Sequence, residues 1–158
     1  MRIKRTFTRQ IANDPRYHSV KVAKLVNYVM RQGKKSVAQK QVYQTLESLE
    51  KVTNKKALEV FDEVVAKVAP QVEVRSRRIG GAAYQVPTPV RPQRGFALAL
   101  RWLIQEAQKR PSTQYHTFAE KLVAEMTDAL KDQGGAVERK NTAHRMAESN
   151  KAFAHFRW

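Results

Sequence analysis

Arg75, Arg77 and Arg78, followed by Gly80, Gly81 and Tyr84, are residue types that together can grip a nucleic acid. A guanidinium presents its N–H donors in a planar fork that matches a phosphate, and a tyrosine ring offers a face on which a base can stack. Glycines admit close approach of another backbone. More cations flank this group. Arg2, Lys4, Arg5, Arg9 and Arg16 face one acid, Asp14, in residues 1–18, and Lys34-Lys35 form a pair that the sequence sets beside a helix start. Arg91, Arg94 and Arg101 follow the glycine pair, Arg145 lies on the polar side of the last helix, and Arg157 sits between aromatics at the C-terminus. All of these are candidate RNA contacts. The competing use of the arginines at 75, 77 and 78 is to shield an exposed sheet edge from pairing with another chain.

The whole composition favours the first use. Thirty Lys and Arg against 14 Asp and Glu give a net charge of +16 over 158 residues, a self-repulsion that an anionic partner relieves. No apolar run reaches the length of a membrane span, and Met1-Arg-Ile-Lys-Arg-Thr6 lacks the apolar centre of a signal peptide. A cytosolic protein with no membrane partner is expected. The absence of Cys excludes disulfides and thiolate metal sites. There is no Walker loop, dinucleotide fingerprint, zincin motif or nucleophile elbow, and His18, His116, His144 and His155 do not sit at helical ligand spacing to one another. No catalytic residue, cofactor or metal is expected.

The elements that must position the cations can be read from periodicity. Ser19 is suited to cap a helix with Val22, Leu25, Val26 and Val29 on its apolar face, and Gly33 to close it. Ser36 to Gln39 has the form of a capping box for a second helix bearing Ala38, Val42, Leu46 and Leu49. Asn54 is a candidate cap for a third, with Leu58, Phe61, Val65 and Val68 at core spacing. Glu47, Glu50, Glu59, Asp62 and Glu63 gather acid on these two helices.

Val72 and Val74 then alternate with Glu73 and Arg75, and Tyr84-Gln85-Val86 follows the glycine pair, which predicts a β-hairpin over 71–90. With arginines on both faces near its tip, it should project as an arm. Pro92 suits the first turn of a fourth helix carrying Phe96, Leu100, Leu103, Ile104 and Ala107. Thr117 to Glu120 is another capping box, before a fifth helix with Leu122, Val123, Met126 and Leu130. Gly134-Gly135 precedes a sixth with Val137, Ala143, Met146 and Ala147. The expected fold is mainly α: a single domain of about six helices with one protruding basic β-hairpin arm between the third and fourth helices. It divides into a basic N-terminal arm (1–18) that orders on its partner, a helical domain (19–150) and an aromatic, basic tail (151–158).

Several stretches carry a specific resemblance. Glu73-Val-Arg-Ser-Arg-Arg-Ile-Gly-Gly-Ala-Ala-Tyr-Gln-Val-Pro87, Val90-Arg-Pro-Gln-Arg94 with Leu98-Ala-Leu-Arg-Trp102, Asp14 to Ser19, Gly33-Lys-Lys-Ser36 and the closing His144 to Trp158 resemble the bacterial-type small-subunit ribosomal protein S-seven family over essentially the whole chain. The resemblance implies a structural protein of the cytoplasmic ribosome that seats on the 3-prime domain of small-subunit rRNA and nucleates head assembly. It also implies a hairpin near the exit-site tRNA and mRNA path, contacts with neighbouring head and platform proteins, and binding to its own operon mRNA. Two departures stand out: Gly95 replaces the arginine that usually follows Arg94, and the loop from Arg110 to Thr117 is longer than usual. From the residues alone, the rival readings are a DNA-architectural protein with a basic β-arm and a basic enzyme acting on RNA. The arm's Gly-Gly tip lacks the apolar wedge that the first uses, and no acid, base or metal constellation serves the second.

Overall fold

The computed structural model describes residues 10–156. Six α-helices run in the order α1 (Val20–Val29), α2 (Lys35–Thr53), α3 (Ala57–Val68), α4 (Pro92–Lys109), α5 (Phe118–Leu130) and α6 (Gly135–Ser149), and a 3-10 helix covers Lys151–Phe156. Between α3 and α4 the antiparallel strands β1 (Val72–Ile79) and β2 (Ala82–Pro89) form the only sheet among the described residues.

Each of the first five helices turns an apolar stripe inward. Val22 and Leu25 of α1, Leu46 and Leu49 of α2, Phe61 of α3, Leu100 and Leu103 of α4, and Leu122 and Met126 of α5 meet in one core with no more than 1% of their surface exposed. A side chain of this size stabilises the fold by about 1.5–3 kcal/mol when fully buried. α6 adds Ala136 and Val137 to this core and buries Ala147 outside it. Met146 departs from expectation and is 55% exposed, because it lies one residue round the helix from Ala147. At the base of the hairpin the His144 ring accepts a hydrogen bond from the Gln71 N–H at 3.1 Å, tying α6 to the start of β1.

Some helix ends follow their local signals. Ser19 Oγ accepts from the Lys21 N–H at 3.2 Å, Thr117 and Glu120 form the reciprocal capping box, and Pro92 occupies the first turn of α4. Others do not. α1 ends at Val29 with Met30 as its C-cap, so Gly33, at φ +74°, serves the turn into α2 instead of closing α1. That turn bonds Lys34 N–H to Arg31 O and Lys35 N–H to Gly33 O, delivering the chain into α2 at Lys35. Ser36 is therefore already helical, and Lys34 flanks α2 without a side-chain cap. Asn54 takes the left-handed conformation at φ 53° and its N–H bonds Glu50 O, so it closes α2 instead of opening α3. Asparagine tolerates both roles, and here the C-terminal one wins.

Candidate nucleic-acid interface

Gly80 (φ +56°) and Gly81 (φ +91°) make the two-residue return of the hairpin, which sets Ile79 opposite Ala82. Two successive positive φ values match the twist of the flanking strands. Arg75 is then opposite Val86, Arg77 opposite Tyr84 and Arg78 opposite Ala83. By alternation, Arg75 and Arg77 share one face with Glu73, and Arg78 takes the other.

The hairpin is an arm only in its outer half. Val86, Pro87 and Thr88 of β2 are buried, where the strand passes α6 and the 3-10 helix. Farther out, the Tyr84 ring lies 5.3 Å from that of Phe153 and 5.4 Å from that of Phe156, both on the 3-10 helix. Two aromatics therefore already cover a ring that the sequence offered to a base, because the tail folds back onto β2.

Glu73, absent from the sequence-derived candidates, organises the base of this surface. Its carboxylate accepts from Arg75 Nε at 2.6 Å and from Arg94 Nε at 2.6 and 2.8 Å, joining β1 to the first turn of α4. Burial alone would raise the Glu73 pKa, but the hydrogen bonds from Arg94 and Arg75 outweigh it and hold the carboxyl below its ordinary value. The spacing of Glu73 and Arg75 on one strand face was readable; the partnership with Arg94, 21 residues on, was not. Gly95 is buried beside Pro70 O, and a Cβ there would lie at ordinary contact distance, 3.5 Å away.

Arg91, the residue flanking α4, is exposed, as are Arg78, Arg101 and Arg145. Among the described residues none of these four side chains pairs with a carboxylate. Lys34 and Lys35 are likewise exposed at the start of α2. Arg16 is different. It pairs with Glu47 and its guanidinium lies 5.6 and 5.4 Å from the ring centres of Tyr17 and Tyr43. The turn carrying it is ordered by Asp14, a buried acid that accepts from the Arg16 and Tyr17 N–H groups, each at 3.0 Å. Arg2, Lys4, Arg5, Arg9 and Arg157 lie outside the described residues.

The long loop after α4 carries no such surface. Arg110 turns inward to Glu125, at 2.7 Å, and to Asp128, with the Tyr115 ring centre 5.6 Å from its guanidinium. Among the described residues no group of His, Asp and Glu has the geometry to hold a metal ion, and no helix is long and apolar enough to cross a membrane.

Residues 1–151 match the family described as Ribosomal protein S7p/S5e. The chain is 52% identical to the small ribosomal subunit protein uS7 of Dichelobacter nodosus over 150 residues, which cover 95% of this chain and 94% of that one. It is 49% identical to the protein of the same name from Sphingopyxis alaskensis over 99% of both chains. With the Helicobacter hepaticus protein of that name the identity is 44% over the full length of each. An all-helical body with one Gly-tipped basic hairpin, matched to a single family from residue 1 to residue 151, places the chain in the ribosomal protein S7p/S5e family.

Proposed function

We propose that this protein is a structural, non-catalytic component of the small ribosomal subunit that seats on the 3-prime domain of the small-subunit rRNA and nucleates assembly of the subunit head. Family membership supports the placement in the subunit. The observation that carries the RNA-binding part is the surface where the base of β1 meets α4: exposed Arg91 and Arg101 without carboxylate partners among the described residues, beside Arg75 and Arg94 gathered on Glu73, with exposed Arg78 farther out near the hairpin tip. In a chain of net charge +16, such a surface is matched by phosphate.

Lys34 and Lys35 at the start of α2, Arg145 on α6, and the cations at 2, 4, 5, 9 and 157 supply further contacts to the RNA. The hairpin tip, with Gly80 and Gly81 open around it, lies beside the exit-site tRNA and mRNA path. The tail region meets neighbouring platform proteins, other surfaces meet head proteins, and the protein also binds its own operon mRNA.

The test is competition among an rRNA 3-prime-domain fragment, duplex DNA and single-stranded RNA at one stated salt concentration, together with sedimentation of the protein with small subunits. The rRNA fragment should win. In Arg78→Gln, Arg91→Gln and Arg101→Gln the slope of log affinity against log salt should fall by about one for each phosphate that is no longer neutralised. Equal affinity for duplex DNA and the rRNA fragment would refute the rRNA assignment.

A further inference from the structure

We infer that Glu73 is a specificity-determining positioning residue: it holds Arg75 and Arg94 as a preformed two-arginine fork for a single RNA phosphate. This rests on the RNA-binding reading above. In the free protein one carboxylate gathers both guanidiniums. Glu73 Oε1 takes Arg75 Nε and Nη2, each at 2.6 Å, and Arg94 Nε at 2.8 Å, while Oε2 takes Arg94 Nε at 2.6 Å. Arg75 thus keeps its Nη1 group, and Arg94 both of its terminal groups, for another acceptor.

Exposure separates the holder from the held. The Glu73 side chain is 12% exposed, against 55% for Arg75 and 50% for Arg94. The carboxylate is the shielded partner and the two half-exposed guanidiniums meet on its Oε1, which brings them together at one place on the surface. Thr88, opposite Glu73 in the register, donates its hydroxyl to the Glu73 carbonyl at 3.4 Å, so the backbone that carries the carboxylate is itself held.

Two opposed effects follow. Glu73 cancels one positive charge, which weakens attraction to any polyanion. It also removes the freedom of two long side chains that would otherwise repel each other and lose rotamer entropy on binding. The first effect acts on every RNA, whereas the second acts only where a phosphate meets the fork in register. A holder therefore raises discrimination while lowering general affinity.

The two effects give opposite signs in one experiment. Affinities of wild type, Glu73→Gln, Arg94→Lys and the double variant are measured for an rRNA 3-prime-domain fragment and for an unrelated duplex RNA at the same salt, with circular dichroism and thermal melting to show a native fold. Glu73→Gln keeps the side-chain shape and adds net positive charge. It should bind the unrelated duplex more tightly and the rRNA fragment no better, with the ratio of the two affinities falling by about tenfold, the scale of one charged hydrogen bond. Arg94→Lys keeps the charge but loses the fork, so its ratio should fall with an unchanged salt slope. The double variant should fall no further than the larger single effect.

If Glu73→Gln strengthens binding to both RNAs equally, the carboxylate only offsets charge and the inference is wrong. Should Glu73→Gln fail to fold, Arg94→Lys still decides, and an unmoved ratio there is equally fatal. A wild-type protein with no preference for the rRNA fragment overturns the RNA-binding reading as well. A clear wild-type preference with unmoved ratios in the variants overturns the fork alone.

Discussion

The Tyr43 hydroxyl donates to Asp14 Oδ1 at 2.8 Å, linking the turn ahead of α1 to the middle of α2. Asp14 Oδ2 also takes the N–H groups of Arg16 and Tyr17, so one buried carboxylate fixes both the shape of the turn and its place on the body. Asp14→Ala leaves these donors without their acceptor and should cost about 1–3 kcal/mol. Tyr43→Phe removes one of the three bonds and should cost about 1 kcal/mol. Urea midpoints measure both losses, and amide exchange at Tyr17 should quicken most in Asp14→Ala. Unchanged exchange there would mean that the ring contact between Tyr17 and Tyr43, at 5.8 Å, holds the turn by itself.

The same pair makes stability depend on alkaline pH. Burial, aided by the hydrogen bond to Asp14, pushes the Tyr43 phenol up from 10.0 to about 12, and burial raises Tyr17 as well. The folded protein therefore keeps these protons after the unfolded chain has released them. Their contribution is fully present below the ordinary phenol value and is lost as pH rises from 10.0 toward about 12. Denaturant midpoints followed through that range should decline, and the decline should be shallower in Tyr43→Phe. Parallel curves for the two proteins would remove Tyr43 as a cause.

Signals confined to a few neighbouring residues were legible in the sequence. Ser19, the Thr117–Glu120 box, Pro92 and the Gly80-Gly81 return each act within one turn, and each stands where its chemistry predicts. Asn54 and Ser36 misled because each has two local uses, and the choice between them is made by the connecting turn, not by the residue. The candidate site was legible as a set of cations but not as a set of partnerships. Arg16 looks like Arg78 in one dimension, yet Glu47 and two tyrosine rings engage only the former. Tyr84 looked open because nothing near it in sequence reveals that residues about seventy positions later fold back on it.

A buried ion cluster in the connection from α4 to α5 bears on stability. Arg110 donates from Nε and Nη2 to Glu125, at 2.9 and 2.7 Å, and also to Asp128. Glu125, 2% exposed, takes the Ala136 N–H at 2.9 Å with its other oxygen, so the cluster also fixes the start of α6. Arg110→Met removes the cation and strands a buried carboxylate, a change that costs about 3–5 kcal/mol. Adding Glu125→Met to that variant should recover part of the loss, because the stranded charge goes with it, although the Ala136 N–H then lacks its acceptor. Equilibrium unfolding of the two single variants and the double one gives the coupling. Simple additivity would show that Arg110 and Glu125 act independently.

The tail should govern how far along its length the hairpin is ordered. A two-stranded sheet is at best marginally stable by itself in water. This one is supported at its base by buried Val86, Pro87 and Thr88, and beyond them by Phe153 and Phe156 against Tyr84. The two phenylalanines also lie nearly parallel, with ring centres 6.5 Å apart, so together they form one side of a three-ring cluster. Contacts of this kind contribute about 0.5–1.5 kcal/mol beyond the area they bury. Replacing both phenylalanines with Ala should therefore leave the cooperative melting of the helical core almost unchanged, since neither belongs to it, while lowering amide protection at Tyr84 and leaving Val86 protected. Hydrogen exchange resolved along β2 makes the measurement. Loss of protection through Val86 would show that the whole hairpin docks through the tail, whereas full protection at Tyr84 would show that the outer strands hold without it. In the double variant the outer strands lose their aromatic support, while Glu73, Arg75 and the start of α4 stay fixed by bonds that the tail does not touch.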